Sequence, residues 1–354
     1  MNHGKTVAGM PGPPPGDFLG LSRRIGSDRM LVQGPGGNTS VKSGGAMWIK
    51  ASGTRLADSG VHRVFLPVDI DRVIAEFNGG GDGSCTRAVI GSSHGLRPSI
   101  ETTFHAVMPR RFVFHYHSVQ ALCHLISPEG IATLPGKLDG LDWTLADYRK
   151  PGIPLTREIE ASLGTGNPEI VLLKNHGVII AADRISRVAA LIEEVEARLE
   201  LPVSIPQSGD DESRQPGLRR NTPVNRRAES GSTWERCPGT GRFSSQPELR
   251  RRLSSGVYFP DQAVFLGPNL PLLSRKEMED GVDPGVPAVI VDGAGIFARR
   301  DSLPEVKEMV LCLSDVFSRV PRAWSAVTLA PGEVDELINW DAEEFRRKSA
   351  RKRD

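Results

Sequence analysis

The chain has 354 residues, 38% of them hydrophobic, with 38 glycines and with 44 Lys+Arg against 43 Asp+Glu. This is the composition of a globular protein of one or two domains. A formal charge of +1 gives no global electrostatic case for nucleic acid or an acidic partner, so any anion recognition must be local.

No stretch is long and apolar enough to span a membrane, and the Gly/Pro-rich start, Met1 to Gly16, lacks the apolar run of a signal peptide. Cys85, Cys123, Cys237 and Cys312 are far apart and form no CxxC pair. That argues against a disulfide framework or a cysteine zinc site and points to a cytoplasmic location.

In chain order, the pattern predicts a disordered tail over residues 1–16, then alternating short strands and helices over 17–200. Val41–Lys50 and Arg63–Pro67 read as strands. Arg97–Met108 reads as a helix, with Pro98 in its first turn and Ser99 near its cap. Arg111–His117 is a short strand, and Glu169–Ala181 is an apolar strand run broken by an Asn-His-Gly turn. Val188, Leu191, Ile192, Val195 and Leu199 recur at helical spacing, so Ser186–Leu199 is an amphipathic helix. Residues 201–255 are rich in Pro, Gly and Arg with little periodic apolar content, and read as a disordered linker. Residues 256–348 are globular again and echo the first unit. Aligning Gly177 with Gly295 also aligns Asp183 with Asp301 and sets Ala294 at the position of His176. The reading is a smaller C-terminal α/β extension that is a degenerate repeat lacking the histidine.

Within Phe114-His115-Tyr116-His117, residues i and i+2 share one strand face. Their Cα atoms are then about 6–7 Å apart, near enough for two imidazoles to converge on one ion with Zn–N bonds of about 2.0–2.1 Å. His176, after an apolar strand and before Gly177, is a candidate third ligand at a sheet end. Glu101, in what reads as a first helical turn, suits the helix dipole, a fourth ligand position or a general acid/base role. His105, four residues on, reads as a hydrogen-bonded core histidine. Gly34-Pro35-Gly36-Gly37-Asn38-Thr39-Ser40 is a Gly-rich loop entering a strand, Ala51-Ser52-Gly53-Thr54 is a hydroxyl-bearing turn, and Ser99 sits at a helix start. Such segments offer N–H groups to anions. None fits a Walker motif or a dinucleotide fingerprint, which argues against an NAD-dependent oxidoreductase.

Taken in order, five segments resemble the class II aldolase/adducin family: Gly37-Asn38-Thr39-Ser40, Ser52-Gly53-Thr54, Ser99-Ile100-Glu101, His115-Tyr116-His117 and Asn175-His176-Gly177. The resemblance covers roughly Asp17–Leu199 and looks closest to a rhamnulose-phosphate-aldolase-like subgroup, whose extension Val257–Arg347 is similar to, including Asn339-Trp340-Asp341-Ala342-Glu343. It implies a three-layer α/β/α fold about a central β-sheet. It also implies Zn2+ held by His115, His117 and His176, with Glu101 as both ligand and acid/base, and a substrate phosphate held by Asn38, Ser52, Gly53 and Ser99.

The implied activity is that of an aldehyde-lyase, retro-aldol cleavage of a ketose phosphate or related sugar through a metal-stabilised enediolate. The implied setting is a cytoplasmic homo-oligomer, usually a tetramer, with no nucleic-acid or membrane partner. Sugar-phosphate 4-epimerases and decarboxylases of the same family are alternatives on the same enolate chemistry. A non-catalytic adducin-like scaffold is a third, although its mark, loss of the three histidines, is missing here. Two departures bear on the reading. Ile100 stands where phosphate-handling relatives often carry a second serine, which leaves an unphosphorylated sugar acid open. Some relatives use a neighbouring subunit's tyrosine as a second acid, and none of Tyr116, Tyr148 and Tyr258 is assigned to that role.

Overall fold

The computed structural model describes residues 10–204, 233–244 and 246–351. A seven-stranded sheet is built from β1 (Asn38–Ser43), β2 (Ala46–Lys50), β3 (Phe65–Asp69), β4 (Phe112–Tyr116), β5 (Trp143–Ala146), β6 (Ile170–Leu173) and β7 (Gly177–Ala182), in the order β3-β2-β1-β4-β7-β6-β5. Only β5 and β6 pair in parallel. The single strand expected over Val41–Lys50 is a hairpin. Gly44 and Gly45, at φ +58° and +80°, form the two-residue turn that returns the chain, a conformation that glycine adopts without steric cost.

Seven helices flank this sheet: α1 (Gly16–Gly26), α2 (Ile70–Asn78), α3 (Thr102–Val107), α4 (Val119–Leu125), α5 (Pro128–Lys137), α6 (Ile153–Leu163) and α7 (Ile185–Leu199). Alternation along the central strands feeds both faces. Phe112, Phe114, Ile170, Leu172, Val178 and Ile180 pack with α1, α4 and α7, while Val113, Val171, Leu173, Ile179 and Ala181 pack with Phe104 and with Leu155 and Ile159 of α6. The result is the three-layer α/β/α arrangement. Each side chain so buried is worth about 1.5–3 kcal/mol. The same alternation turns His115 toward α3, where its ring meets Phe104 edge-on at 5.7 Å.

The helix expected from Arg97 begins only at Thr102. Pro98 instead bridges Ala51, with Ser52 N–H donating to the Arg97 carbonyl (2.8 Å) and Ser99 N–H to the Lys50 carbonyl (3.0 Å). These bonds extend the β2 edge and hold Arg97–Ser99 out of helical geometry. Glu101 therefore occupies the cap position, and its side chain makes no capping hydrogen bond.

A second sheet, ordered β8-β11-β10-β9, is built from β8 (Trp234–Arg236), β9 (Leu272–Leu273), β10 (Ala288–Val291) and β11 (Gly295–Arg299). Around it lie α8 (Gly241–Ser244), α9 (Pro247–Ser254), α10 (Pro260–Leu266), α11 (Arg275–Asp280), α12 (Pro304–Phe317), α13 (Pro331–Ile338) and α14 (Asp341–Arg351). Its pairings parallel those of β4-β7-β6-β5. Ile170 faces Ile180 as Ala288 faces Ala298, and Leu173 faces Gly177 as Val291 faces Gly295. The outer parallel pairs agree as well: Ala146 with Leu173, and Leu273 with Val291. On the other side His115 pairs with Ile179 where Arg236 pairs with Phe297. In this correspondence Arg236, Pro238 and Ala294 stand at the positions of His115, His117 and His176.

Two sequence boundaries need correction. The linker expected over 201–255 is folded at 233–244 and 246–255, because Phe243, Leu249 and Leu253, too sparse to show a period, all reach one buried cluster. Residues 205–232 and 245 of that linker lie outside the described residues. The tail expected over 1–16 is likewise placed from residue 10, where Trp48 Nε1 donates to the Gly12 carbonyl at 2.8 Å; residues 1–9 lie outside the described residues. The C-terminal unit shares its core with Val119, Leu122, Cys123 and Ile126 on and after α4. All four cysteines are unpaired and buried. No helix among the described residues is long and apolar enough to cross a membrane.

Glu196 on α7 accepts a hydrogen bond from Ser118 Oγ at 2.8 Å, yet burial pushes its pKa up from 4.5 to about 7. A carboxyl with a higher pKa in the folded state favours folding while protonated, and that contribution is lost as pH rises from about 4.5 to about 7. Glu196→Gln is expected to flatten this decline. Denaturant midpoints at about pH 5 and about pH 8 should differ less in the variant than in the wild type, and an unchanged difference would refute the assignment.

Candidate metal and acid–base site

β4 carries His115 and delivers His117 just beyond its end, and the β6–β7 turn delivers His176 beside them. One ligand atom from each lies within 4.8 Å of the other two, and all three residues are buried. Gly177 makes this possible. A Cβ there would sit 2.5 Å from the Tyr116 carbonyl and 3.3 Å from both His115 Cε1 and His117 Cδ2. Gly177→Ala is accordingly expected to cost about 1–3 kcal/mol in urea denaturation and to weaken metal binding, since β4 must shift to admit the methyl. Wild-type stability and metal affinity together would contradict this.

The hydrogen bonds fix the tautomers. His115 Nδ1–H donates to the Val178 carbonyl at 3.0 Å, and burial holds the His115 pKa well below its usual value, so Nε2 carries a lone pair. His117 Nδ1 lies 3.2 Å from Asp261 Oδ2, so its Nε2 is also turned to the centre. The two Nε2 atoms are 3.1 Å apart. A cation between two nitrogens so placed stabilises the arrangement. Tetrahedral zinc sets its nitrogen ligands about 3.3–3.4 Å apart.

His176 is held neutral by burial, its pKa lowered to about 3, and its Nδ1 is buried without a partner. Glu101 Oε2 lies 3.6 Å from His115 Nε2, and Oε1 lies 3.5 Å from His176 Nε2. Oε1 is likewise buried with no hydrogen bond. Buried polar atoms are seldom left unpaired. Three imidazoles and an orphaned carboxylate oxygen around one point are a donor set that fits a divalent cation such as zinc.

Burial pushes the Glu101 pKa up to about 7, opposed by a hydrogen bond from Asn38. Asn38 Nδ2 donates to Glu101 Oε2 at 2.7 Å and to Ser99 Oγ at 3.2 Å, while Asn38 Oδ1 accepts from His105 Nε2. His105 Nδ1 accepts from Ser40 Oγ at 2.7 Å. His105 is thus a core histidine that orients Asn38, which in turn orients Glu101.

The structure brings Asn38, Ser52, Gly53, Ser99, Glu101, His117 and His176 to one cavity of about 30 Å³, with His115 directly behind them. Two N–H groups of the Gly-rich loop are engaged within the protein. Gly34 N–H is taken by Glu308 Oε2 (2.6 Å) and Gly36 N–H by the Gln33 carbonyl (2.9 Å). Its glycines are needed for close approach: a Cβ on Gly37, at φ +58°, would sit 2.8 Å from the His115 carbonyl. None of the three tyrosines lines the cavity.

Sequence reasoning assigned no role to four charged lining residues: Lys50, Asp261, Glu343 and Arg346. Lys50, 2% exposed, ends an apolar strand, and that buried position was its available signal. The other three carried no local signal. Asp261 pairs with Arg346 through both carboxylate oxygens, at 2.6 and 2.9 Å. Arg346 also contacts Glu343 at 3.3 Å.

Residues 17–203 match the family described as Class II Aldolase and Adducin N-terminal domain. A Bacillus subtilis (strain 168) protein named "Uncharacterized oxidoreductase YuxG" is 30% identical over 173 residues, which cover 45% of this chain and 25% of that protein. The chain thus spans about a quarter of the length of the curated relative it matches. Among solved structures, the N-terminal class II aldolase domain of a conserved Thermoplasma acidophilum protein is similar at 24% identity and a TM-score of 0.46, over 56% of this chain and 97% of that one. YgbL of Klebsiella pneumoniae, described as a putative aldolase/epimerase/decarboxylase, is similar at 19% identity and a TM-score of 0.39, over 53% of this chain and 89% of that one.

Proposed function

The chain belongs to the class II aldolase and adducin N-terminal domain family, and from that premise we propose that it is a zinc-dependent lyase that cleaves a carbon–carbon bond in a sugar phosphate or a related sugar acid. The observation that carries the reading is the convergence of three buried histidines on Glu101, two of whose nitrogens lie 3.5 and 3.6 Å from its carboxylate. In this reading His115, His117 and His176 hold the metal. Bound there, the metal supplies Lewis acidity that stabilises negative charge developing on a substrate carbonyl oxygen.

The protein's own groups do the rest. Glu101, with a pKa near neutrality, takes and returns a proton at the reacting carbon. Asn38 fixes the carboxylate's direction. Asn38, Ser52, Gly53 and Ser99 hold the remote anionic end of the substrate, with Lys50 alongside, and so align the reacting carbons with Glu101. Ser349 and Arg346 of α14 cover Gly53, to which a Cβ would come within 2.7 Å of Ser349 Cβ and 3.3 Å of the Arg346 carbonyl. α14 thus forms one wall of the cavity. The domain reading goes with this: 17–200 is the catalytic unit, and the C-terminal α/β unit is a degenerate repeat of it that has lost its metal ligands.

The test is a product assay with zinc-loaded protein on a panel of ketose 1-phosphates and sugar acids. Release of an aldehyde is the expected result. A C4 epimer or carbon dioxide as product would replace the aldolase with an epimerase or a decarboxylase of the same family. Zinc binding without turnover of any of them would point instead to a scaffold.

A further inference from the structure

The His117 imidazole is held from behind by the C-terminal unit. Its Nδ1–H meets Asp261 Oδ2 at 3.2 Å, and Asp261, at the start of α10, is itself gripped by both terminal nitrogens of Arg346 on α14. The three side chains are 7%, 3% and 9% exposed, so nothing in bulk water competes for these bonds. Gly36 seals the contact: a Cβ there would lie 2.9 Å from Asp261 Oδ2 and 3.0 Å from His117 Nδ1. The group behind His117 is therefore a carboxylate held on both oxygens by one guanidinium. Such a carboxylate fixes the ring orientation, keeps the proton on Nδ1 and makes Nε2 a stronger donor to a cation.

We propose that Asp261, clamped by Arg346, is a positioning residue for the metal centre. On this view the C-terminal unit completes the site, supplying from more than a hundred residues away the charge that tunes His117. The inference rests on the reading of His117 as a metal ligand. It accounts for an ion pair whose desolvation would otherwise bring little return, and for the tight packing of a metal-less repeat against the catalytic unit.

The experiment is competitive zinc titration of the full-length protein, alongside the visible absorption spectrum of the cobalt-substituted form. The variants are Asp261→Asn and, as a matched control, Asp315→Asn. Asp315 is a buried carboxylate of the same unit whose partners are Arg29 and Arg319. D261N is expected to bind zinc about 10–100-fold more weakly and to change the cobalt spectrum. D315N should lose thermal stability yet keep both readouts. Wild-type zinc affinity and spectrum in folded D261N would overturn the proposal, and so would equal losses of affinity in D261N and D315N. If D261N does not fold, Arg346→Lys decides. Keeping the charge but replacing the two-nitrogen fork by a single ammonium nitrogen, it should weaken zinc binding severalfold, and unchanged affinity would overturn the proposal. A wild-type protein that takes up no zinc would instead refute the functional reading on which the inference stands.

Discussion

Purified wild-type protein is expected to hold about one zinc ion per chain, and His117→Ala none after dialysis against a weak chelator. His117 and His115 face each other across 3.1 Å with their Nδ1 protons committed elsewhere, so the pair has no internal satisfaction unless a cation or a proton bridges it. Removing one ring leaves His115, His176 and a carboxylate whose pKa burial pushes to about 7, a weaker set that must also give up a proton to bind at neutral pH. Turnover should fall with the metal by about 10³-fold or more, because a Lewis acid contributes several kcal/mol to the stabilisation of transition-state charge. The Asp261–Arg346 pair is untouched, so circular dichroism should report a folded variant. Wild-type zinc stoichiometry in His117→Ala would remove the site from consideration.

Glu101→Gln is expected to separate binding from proton transfer. Glutamine has the volume of the glutamate, and its carbonyl can accept the Asn38 hydrogen bond made at 2.7 Å in the wild type. The histidine cluster keeps its geometry, so zinc should remain bound. The other two carboxylates of the cavity are engaged: Asp261 by Arg346 and His117, and Glu343 by Arg346. The expected loss is about 10²–10⁴-fold in kcat with little change in KM, measured on whichever substrate the product assay identifies. A variant that keeps its zinc and turns over at the wild-type rate would show that Glu101 does not carry the proton.

The chemistry legible in the chain was the chemistry written at short range. A two-residue period put His115 and His117 on one side of β4, and an apolar run broken by Asn175-His176-Gly177 marked a strand end. Positions 177 and 295 aligned because both hairpins obey the same register rule. Local rules also misled. Arg97–Met108 has the residues of a helix start, yet hydrogen bonds to the β2 edge hold Pro98 and Ser99 extended and leave Glu101 free to face the histidines. The Gly-rich loop has the composition of an anion nest, but contacts with Glu308 and His115 decide its use.

What no pattern in the sequence disclosed is the third side of the site. Asp261, Glu343 and Arg346 lie far along the chain from the histidines, in α10 and α14. Their role exists only because the C-terminal unit packs on α4 and brings those helices to the mouth of the first sheet. The apolar residues that dictate this packing are unselective by type, so the sequence determined which faces are buried, and only the tertiary structure decided which buried charge stands behind His117.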